Sequence, residues 1–299
     1  MHHHASIRYT ALKMRHGFLL IAKPCGPTSH DAVAQVRRLL HEQKIGHLGT
    51  LDPAAEGLLV LAVGAKALKV IELFDDLSKE YGAHVCLGAT STTYDREGVI
   101  ERWHPVPGWH TPDELMIRST ISARFLGKIQ QVPPAHSAVK VGGERAYRKA
   151  RQGRGVNIPP REVEISECVI EKYLYPDLYL KVACGSGTYI RSLAHDLGEL
   201  LHCGGYLQGL KRTKVGEWNL KDAVTPEQVT WTNVLPLKDV LAHFPRLELT
   251  DHEADDICHG RSIAHAVAPD TIGWHGGLPI VILIPSKDGS QTSRPRKVL

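Results

Sequence analysis

Residues 46–53 concentrate turn-forming residues around one carboxylate, Asp52, immediately before an apolar run that predicts a buried strand. Glycines at positions 46 and 49 permit close backbone approach or a positive φ, and Pro53 biases Asp52 toward an extended conformation. A carboxylate fixed in this way at the floor of a pocket could serve as a nucleophile or a base. The same residues also suit an ordinary turn in which the carboxylate accepts hydrogen bonds from nearby amides.

Further short motifs accompany this loop in a fixed order along the chain. They are Lys23-Pro24 with Gly26 and Thr28-Ser29-His30-Asp31, Lys79-Glu80-Tyr81, Gln131-Val132-Pro133-Pro134 with Ser137-Ala138-Val139-Lys140, residues 187–193, and Leu210-Lys211-Arg212-Thr213 with Gly216. Over roughly residues 17–223 the series resembles the TruB family of tRNA pseudouridine synthases. The resemblance implies that the chain isomerises a uridine in the tRNA T loop, conventionally position 55, to pseudouridine without a cofactor or a metal.

The resemblance also implies roles for individual residues. The implied catalytic residues are Asp52, Arg191 as its charge partner, and Tyr81, which stacks on the flipped uracil. Asp52 could attack the uracil ring or the anomeric carbon, or abstract a proton while a glycal forms, and the sequence does not choose among these routes. The implied substrate-binding residues are His47, which wedges toward the vacated base stack, Tyr189, Ile190, Leu210 and Lys23. Lys211 and Arg212, together with Lys23, are expected to contact phosphates.

A basic arm is predicted within an insertion at about residues 127–160. Basic residues there face a single acid, Glu144, and glycines bracket a helix-capable piece at residues 144–151. Its expected contacts to the RNA backbone are Lys140, Arg148, Lys149 and Arg151. A mobile basic element suits gripping phosphates, and the resemblance implies packing against the T arm. A plain solvated surface is the alternative.

Composition limits the other possibilities. Lysine plus arginine exceeds aspartate plus glutamate by 36 − 32 = 4, a mild basic bias that permits nucleic-acid binding. The six cysteines are scattered singly, which fits a reducing cytoplasm and disfavours a zinc site. No run approaches the roughly 20 apolar residues of a membrane span. We expect a cytoplasmic monomer with no obligate protein partner, and residues 1–15 look like a tag remnant or a disordered start.

The hydropathy pattern predicts an α+β fold around a mixed, mainly antiparallel sheet. Strands are expected at residues 17–22, 57–63, 81–87, 162–169 and 178–184, and helices from a cap at Ser29 or Asp31 and at about residues 112–125, 189–201 and 226–243. A segment at 249–260, a strand at 278–284 and an Asp288-Gly289 turn complete the chain. The catalytic domain is predicted over residues 16–240, and a small PUA-like, β-rich RNA-binding domain over 241–299.

Two rival functions belong to other classes. One is an RNA-binding or tRNA-folding protein with incidental catalysis, against which the intact Asp52, Tyr81 and Arg191 argue. The other is a guide-RNA-dependent enzyme acting on ribosomal RNA, which would be expected to carry long basic tails. Gly185-Ser186 departs from the Ser-Lys usual in the family, so RNA affinity is less secure than the reaction type.

Overall fold

The computed structural model describes residues 16–137, 139–286 and 291–299. The predicted tag-like start and the Asp288-Gly289 turn lie outside these residues. The strands, in chain order, are β1 Gly17–Lys23, β2 Ile45–Leu48, β3 Ala55–Val63, β4 Lys79–Leu87, β5 Ala89–Ser91, β6 Ile100–Arg102, β7 Gly127–Gln131, β8 Lys140–Val141, β9 Glu144–Arg145, β10 Arg161–Leu174, β11 Asp177–Cys184, β12 Gly205–Val215, β13 Trp218–Asn219, β14 Leu235–Pro236, β15 Arg246–Glu248, β16 Thr271–His275, β17 Leu278–Pro285 and β18 Ser293–Val298. The helices are α1 Ser29–Leu40, α2 Ala65–Val70, α3 Glu114–Arg124, α4 Ala146–Arg151, α5 Ile190–Leu200, α6 Leu237–Val240 and α7 Asp251–Cys258.

One large sheet organises the described chain. Its order is β14-β1-β3-β12-β4-β11-β10-β7, with β2 paired to β3 and β13 to β12. Strands β3 and β12 run parallel, and the other pairings of this sheet are antiparallel. Helices on the sheet complete an α+β architecture, so the predicted fold class is confirmed.

The β3 strand lies in the interior of the sheet, and its sequence is apolar on both faces. Residues Leu58 to Val63 are completely buried, and their side chains alternate between two different core clusters. The loop that carries Asp52 leads directly into this strand. A strand buried between two core clusters therefore gives the loop a rigid base.

The N-cap of helix α1 lies one residue before Ser29, the nearer of the two predicted caps. Thr28 is the N-cap, and Asp31 reaches back to the Thr28 backbone N–H in a capping box. Its buried face includes Val33 and Val36, in agreement with the predicted apolar stripe. The helix packs behind the Asp52 loop.

The predicted helix at residues 226–243 is wrong. The segment consists of 3₁₀ turns at Pro226–Gln228 and Trp231–Asn233, the edge strand β14, helix α6 and a further 3₁₀ turn at Leu241–His243. Leu235 pairs with Phe18 at the edge of β1, and Pro236 inside the segment interrupts a helix. Tertiary pairing therefore overrides the local apolar spacing.

The C-terminal region is β-rich, as expected. Strands β15 to β18 form a four-stranded sheet, and α7 covers one side of it. Ile272, Trp274 and Ile282 of this sheet share a core cluster with Phe18 and Leu58 of the main sheet. The boundary near residue 240 and the likeness to PUA domains stay predictions.

Helix α5 approaches the main sheet very closely at one glycine. A Cβ on Gly198 would lie 2.1 Å from the backbone nitrogen of Gly205 in β12. Helix and strand can therefore touch only while position 198 lacks a side chain. Arg191 lies in the first turn of the same helix.

We predict that Gly198→Ala lowers the free energy of unfolding by about 1–3 kcal/mol, because overpacking forces α5 away from β12. Denaturant unfolding would measure it. The matched control is Gly155→Ala, where an added Cβ meets nothing within 4 Å. Equal stability of the two variants would contradict the argument.

Candidate active site

Backbone and side-chain contacts fix the loop that carries Asp52. Ser29 Oγ accepts a hydrogen bond from the Leu51 amide and donates one to the Leu51 carbonyl, each at 2.9 Å. The Gly26 amide donates to the Pro53 carbonyl at 2.8 Å, and Gly49 adopts a φ of +74°. Asp52 is therefore held between β2 and β3 by contacts on both sides.

Arg191 is the charge partner of Asp52, as predicted. Its Nη2 lies 3.1 Å from Asp52 Oδ2, and its side chain is only 7% exposed. Nη1 lies 3.3 Å from Asp95 Oδ2, so one guanidinium bridges two carboxylates. The guanidinium also donates to the carbonyls of Thr93 and His136. These four acceptor contacts leave the guanidinium little freedom.

Asp95 is a site residue that the sequence reasoning missed. It lies in the polar, turn-rich stretch that was interpreted only as a link, and its side chain is 7% exposed. Its Oδ1 accepts hydrogen bonds from Thr93 Oγ1 and from the Glu97 amide. An acidic residue in such a stretch usually forms a local turn of this kind. The sequence therefore carried no signal that Asp95 also contacts Arg191.

The electrostatic environment raises the pKa of Asp52 above its ordinary value. Burial in the cleft is the largest cause, and the nearby Asp95 carboxylate acts in the same direction. The Arg191 guanidinium and the more distant Lys23 lower this pKa without reversing the shift. The Asp52 side chain is still 43% exposed, because it faces the cleft while protein atoms crowd its other sides. A carboxylate with a raised pKa is a stronger base than an ordinary aspartate.

Tyr81 lies on β4 beside the Asp52 loop. It is buried in the same core cluster as Ile190, and Leu210 packs against that cluster. Burial raises the pKa of the Tyr81 phenol, although the neighbouring Arg212 guanidinium lowers it, so the phenol is neutral near pH 7. The positive charge of Arg191 and the apolar side chain of Leu210 therefore both lie beside Asp52.

The prediction that Lys23 and Arg212 contact phosphates is wrong, because both side chains are buried. Each residue is only 1% exposed. Lys23 Nζ donates to the carbonyls of Pro24, Pro27 and Ala55 at 2.7–2.8 Å. Arg212 donates to the carbonyls of Leu58 at 2.7 Å and Gly49 at 3.0 Å. These cations hold the loop around Asp52 and are not available to RNA.

A cleft leads to the carboxylate. A narrow space of about 10 Å³ is lined by Asp52, Asp95 and Leu210. A larger space of about 270 Å³ shares Ala54, Gly209 and Leu210 with it. Lys211 lines the larger space and lies 3.5 Å from Glu56, with about half of its side chain exposed. Of the predicted phosphate contacts Lys23, Lys211 and Arg212, Lys211 is the one whose side chain is exposed.

His47 and Tyr189 flank the site. His47 Nε2 lies 3.2 Å from Thr50 Oγ1, and burial lowers the pKa of its imidazole. The Tyr189 amide donates to Gln131 Oε1 at 2.8 Å, and Gln131 Nε2 donates back to the Tyr189 carbonyl at 3.0 Å. The Tyr189 ring lies 4.9 Å below the guanidinium of Arg161. These contacts fix the positions of His47 and Tyr189. Their contacts with a substrate stay predictions.

The basic arm forms a small folded unit, the hairpin β8–β9 followed by α4. Lys140, Arg148 and Arg151 are exposed. Lys149 is partly buried and donates to the Val141 carbonyl at 2.7 Å. Among residues 16–137, 139–286 and 291–299, no group of three or more His, Cys, Asp or Glu could hold a metal ion. The same residues contain no helix long and apolar enough to span a membrane.

We predict that Asp95→Asn lowers the pKa of Asp52, because it removes a like charge and leaves Arg191 a single carboxylate. Carboxyl ¹³C NMR titration of aspartate-labelled protein would measure the shift. The control is Asp222→Asn, which changes an exposed carboxylate outside the site. An Asp52 pKa that stays constant or rises in Asp95→Asn would contradict the assigned coupling.

Comparison with known proteins places this geometry in a family. Residues 37–190 match the TruB family pseudouridylate synthase N-terminal domain, and residues 191–239 match the tRNA pseudouridylate synthase B C-terminal domain. The tRNA pseudouridine synthase B of Leifsonia xyli is 42% identical over 281 residues, which cover 90% of this chain and 89% of that protein. The enzyme of the same name from Thermobifida fusca is 41% identical over 282 residues, 91% and 92% of the two chains.

The fold is also found among solved structures. A chain of a Cbf5-Nop10-Gar1 complex superposes with a TM-score of 0.70 at 21% identity, covering 96% of this chain and 85% of that one. A chain of an archaeal box H/ACA Nop10-Cbf5 complex gives a TM-score of 0.68. At such identities the likeness concerns the fold alone. The family matches and the curated relatives confirm the resemblance seen in the sequence motifs, and the chain belongs to the TruB family of pseudouridine synthases.

Proposed function

We propose that this pseudouridine synthase isomerises uridine 55 in the T loop of tRNA, with Asp52 as the catalytic carboxylate. The observation that carries the proposal is the Asp52 carboxylate at the end of a cleft, 3.1 Å from the buried Arg191 guanidinium. The curated relatives, named tRNA pseudouridine synthase B, support tRNA as the substrate.

The reaction places a definite demand on the carboxylate. The C1′–N1 bond of the uridine breaks, a C1′–C5 bond forms, and the proton on C5 is replaced by one on N1. Attack by Asp52 on the base or the sugar, or removal of a sugar proton, would each start this exchange. All of these routes require an ionised Asp52, which the Arg191 guanidinium favours in a site that excludes water. The proposal is therefore independent of the route.

The target base must leave the RNA stack to reach Asp52. Extruding a nucleotide costs a few kcal/mol, and stacking on an aromatic ring returns roughly 1–3 kcal/mol. Tyr81 supplies the ring, Ile190 and Leu210 supply apolar walls, and His47 fills the vacated position. The space beside Asp52 holds about one water, so a pyrimidine enters only when that space opens into the larger cleft.

The T arm is the proposed contact of the basic arm. Lys140, Arg148 and Arg151 present exposed charge on the arm, and Lys211 presents exposed charge at the cleft. Contacts of this type fix the position of RNA without reading its sequence. We propose that the enzyme acts on tRNA in the cytoplasm as a monomer without a protein partner.

The rival functions have less support. A tRNA-folding protein without chemistry needs no raised Asp52 pKa and no buried Arg191 beside it. A guide-RNA-dependent enzyme is suggested only by the fold likeness to Cbf5 chains at about 21% identity. The relatives at about 40% identity carry tRNA enzyme names over most of the chain.

We predict that Asp52→Asn decreases turnover by a factor of about 10³ or more, because the amide is neither a nucleophile nor a base. Tritium release from C5-labelled uridine in a tRNA transcript measures turnover, and filter binding measures tRNA affinity, which we expect to change little. Asp222→Asn is the control. Appreciable tritium release by Asp52→Asn would remove Asp52 from the chemistry.

A second prediction concerns the basic arm. The double change Arg148→Ala and Arg151→Ala should weaken binding to all tRNA sequences and reduce the slope of log affinity against log salt by about 1–2. Lys149 is left intact because its ammonium group already bonds the Val141 carbonyl. Arg118→Ala serves as the control, since Arg118 is an exposed arginine paired with Glu114 outside the arm. An unchanged affinity and slope would identify the arm as solvated surface.

A further inference from the structure

The loop between β5 and β6 presents Asp95 to the active site, and helix α5 contacts this loop twice. Arg191 in the first turn of α5 contacts the Thr93 carbonyl and the Asp95 carboxylate. His195 lies four residues later, on the same face of the helix. Its imidazole stacks on the ring of Tyr94, the residue between Thr93 and Asp95, with centroids 3.8 Å apart and planes inclined by 7°.

Tyr94 has a backbone conformation that needs support. Its φ of +65° lies in the left-handed region, which costs a non-glycine residue roughly 1–2 kcal/mol. The Leu207 amide donates to the Tyr94 carbonyl at 2.9 Å, and the Arg96 amide donates to the Leu207 carbonyl at 3.1 Å. Strand β12 therefore holds the backbone on one side of the loop, while the ring stack holds it on the side of α5.

We propose that Tyr94 and His195 are positioning residues for pseudouridine formation, whose stacked rings fix the Asp95 loop against α5 and so hold Arg191 at the distance that Asp52 requires. The inference rests on the proposed function. Neither ring contacts Asp52 in the structure, so both act through Asp95 and Arg191. Asp95 follows Tyr94 directly and is joined to it by one planar peptide bond, so a displacement of the Tyr94 backbone is transmitted to Asp95.

The surroundings of His195 indicate that its imidazole ring acts by stacking and not by a hydrogen bond from Nδ1. Its Nδ1 is buried and has no hydrogen-bond partner among the described residues. Burial lowers the pKa of this imidazole, although Glu199 on the next turn raises it. Asp196 beside it has a pKa raised to about 6 by burial and by Glu199, and both acids lie near the Tyr94 phenol. A neutral imidazole stacked flat on a neutral phenol contributes contact area and no ion pair.

The test separates the ring of Tyr94 from its backbone conformation. Tyr94→Asn removes the ring but tolerates the positive φ, and His195→Ala removes the opposite ring from a helix that accepts alanine. We expect each variant to lower kcat by about 10- to 100-fold, because small displacements of a catalytic group have effects of this size. The Kd for tRNA should stay within about twofold of wild type, and the ring-preserving controls Tyr94→Phe and His195→Phe should retain near-wild-type kcat.

Two further readouts distinguish positioning from general loss of structure. In Tyr94→Asn the acidic limb of the kcat profile should move from its wild-type position, because a displaced loop changes the distances of both Asp95 and Arg191 from Asp52. This shift and most of the kcat loss should disappear when Tyr94→Asn is made in an Asp95→Asn background. If Tyr94→Asn fails to fold, His195→Ala decides the matter by the same readouts.

A wild-type kcat and acidic limb in Tyr94→Asn or His195→Ala would overturn the inference. An undiminished effect in the Asp95→Asn background would overturn it as well. The wild-type chain is assayed in parallel for tritium release from C5-labelled uridine in tRNA. Absence of turnover by the wild-type chain would count against the proposed function, whereas turnover with insensitive ring variants would count against the positioning role alone.

Discussion

A single buried guanidinium between two carboxylates organises this site. Arg191 is 7% exposed and contacts Asp52 at 3.1 Å and Asp95 at 3.3 Å. It lies in the first turn of α5, where the helix dipole disfavours a cation, so the two anions and two carbonyls must compensate. Removing one partner of a buried pair typically costs about 3–5 kcal/mol, because a buried charge is left unpaired. The position of Asp52 therefore depends on the loop and the helix that supply its neighbours.

The protein uses other cations as internal supports for the same loop. Lys23 and Arg212 donate to carbonyls on both sides of Asp52 and are almost completely buried. Residue type alone suggested phosphate contacts, since lysine and arginine usually lie at the surface. Burial of their nitrogens leaves the exposed charge of the basic arm and Lys211 for the proposed contact with RNA. We therefore propose that the basic residues that support the Asp52 loop differ from those that bind RNA.

The sequence predicts what depends on local pattern or ordered motifs. The continuous apolarity of β3 indicated its burial, and the motif around Arg191 indicated a cation beside Asp52. Long-range pairing was not predictable: Leu235 joins the edge of β1, which breaks the expected helix at residues 226–243. Asp95 was missed for a similar reason, because its turn is local whereas its contact with Arg191 spans nearly a hundred residues. Patterns within one element cannot report partners brought together by the fold.

The most direct test of this account is the pH dependence of turnover in Arg191→Gln. Without the guanidinium, burial and the Asp95 carboxylate both act to raise the pKa of Asp52. Single-turnover pseudouridine formation, measured across pH for wild type and variant, should show a slower variant whose acidic limb lies at higher pH. An acidic limb at the wild-type position, with turnover preserved, would contradict the claim that Arg191 controls the charge of Asp52.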